Sequence, residues 1–245
     1  MPIRVWTETH NGAVRKHNED TFVSRPDIGL WAVADGAGGH ASGEVASGML
    51  AEALGGLPKD LSGTEMLNML RAQVSAVHDA LRREAERRGG GAMIASTIVI
   101  LVIRAGHFAC LWAGDSRAYL LRDGALQQIS RDHSLVQDLV DSGLIKPEQA
   151  ETHPQANVIT RAVGSDDEEL ELEKVSGKLE PGDRFLLCSD GLCKTLHAED
   201  LLRLMLVDDG AGPAVELIGA ALEREARDNI TAVVLEIPTD GSEDE

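Results

Sequence analysis

Apolar positions along this chain follow two rhythms. IRVWTET at 3–9 and DTFVSR at 20–25 read as strands, separated by a polar loop that holds RKHNED. GLWAVA at 29–34 is apolar without a break, which predicts a strand buried on both faces and ending at Asp35. After a run of glycines the spacing changes, and Val45, Ala46, Met49, Leu50, Ala53 and Leu54 recur at helical intervals. A second helix is predicted from about Thr64 to Arg88, with a stripe of Leu67, Leu70, Val74, Val77 and Leu81, ended by Gly89-Gly90-Gly91.

Three strands follow, in IASTIVILVIR, HFACLWAG and RAYLLRD, with hairpin turns at Gly106 and Asp123-Gly124. Residues 134–164 break the rhythm: short helical pieces around Leu135–Leu139 and Pro147–Ala150 predict an insertion lying over another surface. Strands ELEKVSGKL and RFLLCS, helices at about 198–207 and 213–227, and a last strand ITAVVLEI at 230–237 complete the pattern. Hairpin-linked strands and paired helices predict an α+β fold of stacked antiparallel sheets covered by helices, not a βαβ repeat. Without an internal repeat or a long linker, the chain is expected to form a single domain over 1–238, with a flap at about 134–164 and an acidic tail at 239–245.

Composition narrows the partners. The chain is 43% hydrophobic but only 3% aromatic, so its core must be aliphatic. A net charge of −18 argues against nucleic acid or an anionic membrane surface as the main partner, since both need a basic face. Three cysteines (Cys110, Cys188 and Cys193) are too few for a disulfide framework and read as core fillers in a reducing compartment. MPIRVWTETH has no apolar signal core, and IASTIVILVI is shorter than the roughly 20 residues that span a bilayer. The expectation is a soluble, cytoplasmic protein.

The candidate chemistry lies at strand ends. Asp35 in VADG, Asp190 in CSDG and Asp115 in WAGDSR each close an apolar strand, while Asp20 and Asp228 each stand at a strand start. Any one of them could be a plain turn residue. Five that flank strands of one core are expected to meet in space, where protons or cations must offset their repulsion. Oxygen donors select Mg²⁺ or Mn²⁺, and the chain lacks HExxH or finger-type Cys/His pairs for zinc. The glycines after Asp35 would let the Gly36 carbonyl turn toward an ion and a bulky anion approach. Arg15 in RKHNED adds a guanidinium suited to clamping phosphate.

Other readings fit less well. Gly36-Ala37-Gly38 with Ala41 resembles a dinucleotide fingerprint, but the loop GGLPKDLSG stands where the next strand and its acidic residue should come. A cysteine-dependent phosphatase needs arginine six positions after its cysteine, and Ser116, Lys194 and Glu199 stand there instead.

RKHNED, VADGAGGHASGE, AST at 95–97, AGDSRAYLLRDG, ISRDHS, HPQANVITRAVG, CSDGL and RDNITAVV occur in this order. Together, over about residues 3 to 237, they resemble the metal-dependent protein phosphatases of the protein phosphatase 2C family, in its stand-alone bacterial form. The resemblance implies a four-layer αββα sandwich and hydrolysis of phosphoserine or phosphothreonine by water activated between two Mn²⁺ or Mg²⁺ ions. It implies that Asp35 bridges both ions, that Asp190 and Asp228 complete one shell, and that the Gly36 carbonyl serves the other. Glu19 and Asp20 would act through bound waters, Asp115 would help hold a third ion, and Arg15 would bind the substrate phosphate. His40 is assigned as the general acid, although animal members place that histidine directly after the Asp-Gly, where this chain has Ala37. Phosphoproteins, an opposing serine/threonine kinase and a monomeric state complete the implied picture, with a catalytically impaired scaffold of the same fold as the alternative. His133 and His153 are read as structural, and His10, His78, His107 and His197 as surface or element-end residues.

Overall fold

The computed structural model describes residues 2–38, 42–89, 92–150, 152–208 and 210–239. Its strands are β1 (Arg4–His10), β2 (Asp20–Arg25), β3 (Leu30–Ala37), β4 (Ala95–Ser96), β5 (Ile98–Arg104), β6 (His107–Ala113), β7 (Arg117–Arg122), β8 (Ala125–Gln128), β9 (Glu173–Lys178), β10 (Arg184–Cys188) and β11 (Ile230–Glu236). Its helices are α1 (Ser42–Gly55), α2 (Gly63–Arg88), α3 (Leu135–Asp141), α4 (Pro147–Ala150), α5 (Asp190–Cys193), α6 (Ala198–Met205) and α7 (Pro213–Glu223).

The apolar run before Asp35 has its reason in the layers on either side. β3 lies inside a sheet of order β2-β3-β5-β6-β9, with β4 added to the end of β3. Its Leu30, Ala32 and Ala34 pack with Leu50, Leu54, Leu70 and Leu81 of α1 and α2. Its Trp31 and Val33 point the other way, toward Phe185, Leu187 and Val233 of the second sheet. That sheet runs β1-β11-β10-β7-β8, and its outer face packs on α5, α6 and α7. The fold is therefore the expected αββα stack, with one core between the sheets and one beneath each helical layer. All three cysteines are free and buried.

Local chemistry sets several boundaries. Ser62 and Glu65 form a reciprocal capping box before α2, an arrangement that stabilises a helix start by about 1 kcal/mol. Of the expected stripe, Leu70, Val74, Val77 and Leu81 are buried, and Met66 is buried in place of Leu67, which is only partly covered. On α1 the buried line is Ala46, Leu50 and Leu54, and Val45 is turned outward at 38% exposure. β3 does not end at Asp35, because β4 pairs with Gly36 and Ala37 and carries the strand on.

One histidine differs from expectation. His78 is buried on α2, and both ring nitrogens are satisfied by a distant segment. Gly164 N–H donates to its Nδ1 at 2.9 Å, and its Nε2 donates to the Asp167 carbonyl at 3.0 Å. It thus pins the end of the 134–164 segment. That segment contains α3 and α4 as expected, and is held at its base by bridges Ser134↔Ile159 and Ser96↔Val163.

Candidate metal centre

β2 and β3 pair antiparallel with Asp20 opposite Asp35, so the helix-backed sheet offers two carboxylates at one end. The other sheet supplies its own pair. Asp190 follows β10, Asp228 precedes β11, and those two strands are hydrogen-bonded neighbours. The sheets are joined here by side chains: Ser189 Oγ and Thr231 Oγ1 each donate to Asp20 Oδ2 at 2.7 Å. Asp115 arrives in the link between β6 and β7. Asp35 is fixed through its backbone, with Thr97 N–H and Ser96 Oγ donating to its carbonyl at 2.8 and 3.0 Å.

These groups strain one another electrostatically. Burial, followed by the charges of Asp20, Asp190, Asp115 and Asp228, holds the Asp35 carboxyl well above the usual carboxylate range. Burial pushes Asp20 up to about 7 against its two hydroxyl donors, with Asp190 and Asp228 adding to the rise. Asp115 is pushed up to about 6 by burial and by Asp190, with Lys194 opposing. Among the described residues, Asp20 Oδ1 and Asp115 Oδ1 are buried without a hydrogen-bond partner. A buried carboxylate oxygen without a donor is costly, and a cation removes that cost.

Glu19 and Gly36 form the floor. The Glu19 carbonyl accepts from Gly36 N–H at 3.1 Å and from Ser47 Oγ at 2.6 Å. A Cβ on Gly36 would lie 2.1 Å from the Gly43 carbonyl oxygen and 2.8 Å from that of Glu19. The glycine is therefore required by the first turn of α1 pressing on β3, a reason the sequence reading did not include. Asn229 braces the same floor: its Oδ1 accepts from Glu19 N–H at 2.8 Å, and its Nδ2 donates to the Asn11 and His17 carbonyls at 3.1 and 2.9 Å.

Two cations border the carboxylates. Arg15 Nη2 donates to Asp228 Oδ2 at 2.9 Å, and Lys194 Nζ to Asp190 Oδ2 at 2.5 Å. Both line an open cleft of about 1010 Å³ together with Asp190, Asp228, Arg227 and Asn157. Asn157 belongs to the 134–164 segment, so that segment contributes to the wall of the cleft. His133 is buried and structural: it accepts from Gly114 N–H at 3.1 Å, and burial lowers its pKa. His40, assigned as the general acid, lies outside the described residues, as do residues 240–245 of the acidic tail.

Among the described residues, no group of three or more His, Cys, Asp or Glu side chains converges closely enough to hold one ion by itself. Mg²⁺ and Mn²⁺ keep several waters and take one or two carboxylates each. The hard-oxygen donors and the two orphaned buried oxygens fit such ions. Sequence reasoning missed Lys194, Asn229, Ser189 and Thr231, although the last three fall inside or beside the quoted CSDGL and RDNITAVV runs.

A four-layer αββα sandwich with a carboxylate cluster at the junction of its sheets is the class this molecule defines. A family model described as protein phosphatase 2C matches residues 9–209, and the chain belongs to that family. It is 38% identical over 237 residues to the serine/threonine protein phosphatase PstP of Mycobacterium tuberculosis, covering 97% of this chain. It spans only 45% of the length of PstP. Among solved structures it is similar to PppA, described as a key regulatory component of T6SS in Pseudomonas aeruginosa, with a TM-score of 0.87, 42% identity, and coverage of 96% of this chain and 97% of that one. The catalytic domain of PstP in complex with two manganese ions superposes with a TM-score of 0.85 at 36% identity, covering 96% of this chain and 98% of that one. Among the described residues, no helix is long and apolar enough to cross a membrane.

Proposed function

We propose that this chain is a metal-dependent protein phosphatase that hydrolyses phosphoserine and phosphothreonine in proteins. The observation that carries this reading is that Asp20, Asp35 and Asp115 are buried together with their proton affinity raised by burial and by the charge of Asp190, with Asp228 adding to the rise at Asp20 and Asp35, beside a cleft that holds Arg15. Asp35 would serve two ions. Asp190 and Asp228 would complete the shell of one, the Gly36 carbonyl would contribute to the other, and Glu19 and Asp20 would act through bound waters. The two manganese ions in the similar PstP catalytic domain support a centre that takes two ions. When bound, a pair of Mn²⁺ or Mg²⁺ ions supplies the Lewis acidity that makes water nucleophilic near neutral pH.

The chain's own residues do the rest. Arg15, half-exposed and paired with Asp228, exchanges that carboxylate for two phosphate oxygens and aligns phosphorus for in-line attack. A P–O bond to water forms as the ester P–O bond breaks, and the leaving alkoxide takes a proton from His40. Arg227 adds charge along the cleft for an extended peptide. The substrates require a serine/threonine kinase to make them, so the chain opposes one, acting as a monomer in the cytoplasm. Turnover of a phosphothreonine peptide against a phosphotyrosine peptide, with Mn²⁺ and with chelator, tests this reading. Metal-dependent release from phosphothreonine alone is expected, and inertness in Mn²⁺ would overturn it.

A further inference from the structure

Lys194 follows α5, one helical turn beyond Asp190, and its ammonium meets three oxygens from three separate parts of the fold. Nζ lies 2.5 Å from Asp190 Oδ2, 3.5 Å from Asp115 Oδ2 and 3.0 Å from Asn157 Oδ1. The ammonium donates hydrogen bonds to Asp190 and Asn157 and forms an ion pair with Asp115. The side chain is only partly buried, whereas that of Asp115 is 4% exposed. Lys194 therefore does not fill the core; it brings a positive charge to carboxylates that lack one. The resemblance to the family assigned a third divalent ion to Asp115. A fixed cation between Asp115 and Asp190 occupies the position from which such an ion would be held, and repels it.

We infer that Lys194 is a built-in counter-cation that replaces a third divalent ion between Asp115 and Asp190 and, through Asn157, ties the 134–164 flap to the metal centre. Lys194 is thus a positioning residue, acting on the centre and the flap and not on the phosphorus. The flap's position then depends on a permanent side-chain charge instead of on free metal concentration. Asp115 Oδ1, buried and unpartnered, is the oxygen that takes an ion once the ammonium is removed.

This inference rests on the dinuclear reading above, and metal stoichiometry separates the two. The full chain, stripped of metal, is titrated with Mn²⁺ by calorimetry and followed by electron paramagnetic resonance. Hydrogen exchange reports on residues 134–164 in parallel. Wild type is expected to bind two ions, and Lys194→Met and Lys194→Gln a third, weaker one that disappears again when Asp115→Asn is added. Lys194→Arg is expected to keep two. Asn157→Ala is expected to speed flap exchange while keeping two ions, which isolates the tether from the charge. Melting in chelator shows that each variant is folded. Three ions on wild type, or two on both neutral Lys194 variants, would overturn the replacement; flap exchange unchanged in Asn157→Ala would overturn the tether. Wild type that binds no Mn²⁺ would overturn both this inference and the dinuclear reading.

Discussion

Asp20 and Asp35 stand directly opposite each other in the β2–β3 ladder. Like charges in that relation destabilise a sheet, and here burial deepens the cost. The native state therefore holds protons that the unfolded chain has released, from the ordinary 3.8 of an aspartate up to about 7 at Asp20. Without metal, these groups make stability fall as pH rises through that window. Mn²⁺ has to displace the same protons, so its stabilising effect grows as pH rises through about 7 at Asp20. The difference in Tm with and without Mn²⁺, measured from pH 5 to 8, should widen with pH; a flat difference would refute the argument.

Replacing Asp35 should separate stability from activity. Asp35→Asn removes the cost of holding a proton on a carboxyl that burial and four other carboxylates keep from ionising, so the metal-free protein should melt higher than wild type while turnover is abolished. A lower Tm in chelator would show that the repulsion does not matter to the fold.

The metal ligands and the general acid should differ in rank. A general acid supplies roughly 10²–10⁴ in rate, far less than the acceleration phosphatases achieve. Asp190→Ala should leave nothing measurable with p-nitrophenyl phosphate, whereas His40→Ala should retain a residue. Equal losses would overturn that order.

Asn229→Ala removes three hydrogen bonds that hold the loop bearing Arg15 and Glu19. Leaving those backbone groups unpaired should cost about 1–3 kcal/mol, visible as a lower urea midpoint. Because Arg15 shares that loop, KM for a phosphopeptide should also rise. A stability loss with unchanged KM would mean that the loop does not need this brace to place Arg15.

Two glycines, Gly36 and Gly48, make a matched pair. Gly36→Ala drives a methyl group into the Gly43 and Glu19 carbonyls and should cost about 1–3 kcal/mol or more, with loss of metal binding. Gly48→Ala, in the middle of α1 with nothing within 4 Å of the added carbon, should stabilise by up to about 1 kcal/mol. Similar effects from both would show that α1 does not bear on β3 as described.

The parts of this fold that were readable in the sequence are those with a local cause. The two-faced burial of β3 follows from an unbroken run, and the α2 stripe from its spacing. The gathering of aspartates was inferable because strands sharing a core bring their ends together. What escaped depends on partners far along the chain. His78 reads as a surface residue until Gly164 and Asp167, 86 and 89 positions away, close on its ring. Lys194, which the sequence marks only as the residue six positions after Cys188, gains a role once Asn157 and Asp115 meet it. Gly36 could be recognised as necessary, but the press of α1 that makes it so appears only once the helix is docked. The short β8 left no apolar rhythm, since most of its residues face solvent.

The contact of Asp20 with Ser189 and Thr231 joins residues 169 and 211 positions apart. Partial structures containing only one sheet cannot assemble the ion site, however native that sheet is. During refolding, catalysis should thus return only with the final closure of sheet on sheet, later than the recovery of secondary structure. A nascent or damaged chain would therefore have no ion site until both sheets have closed on each other.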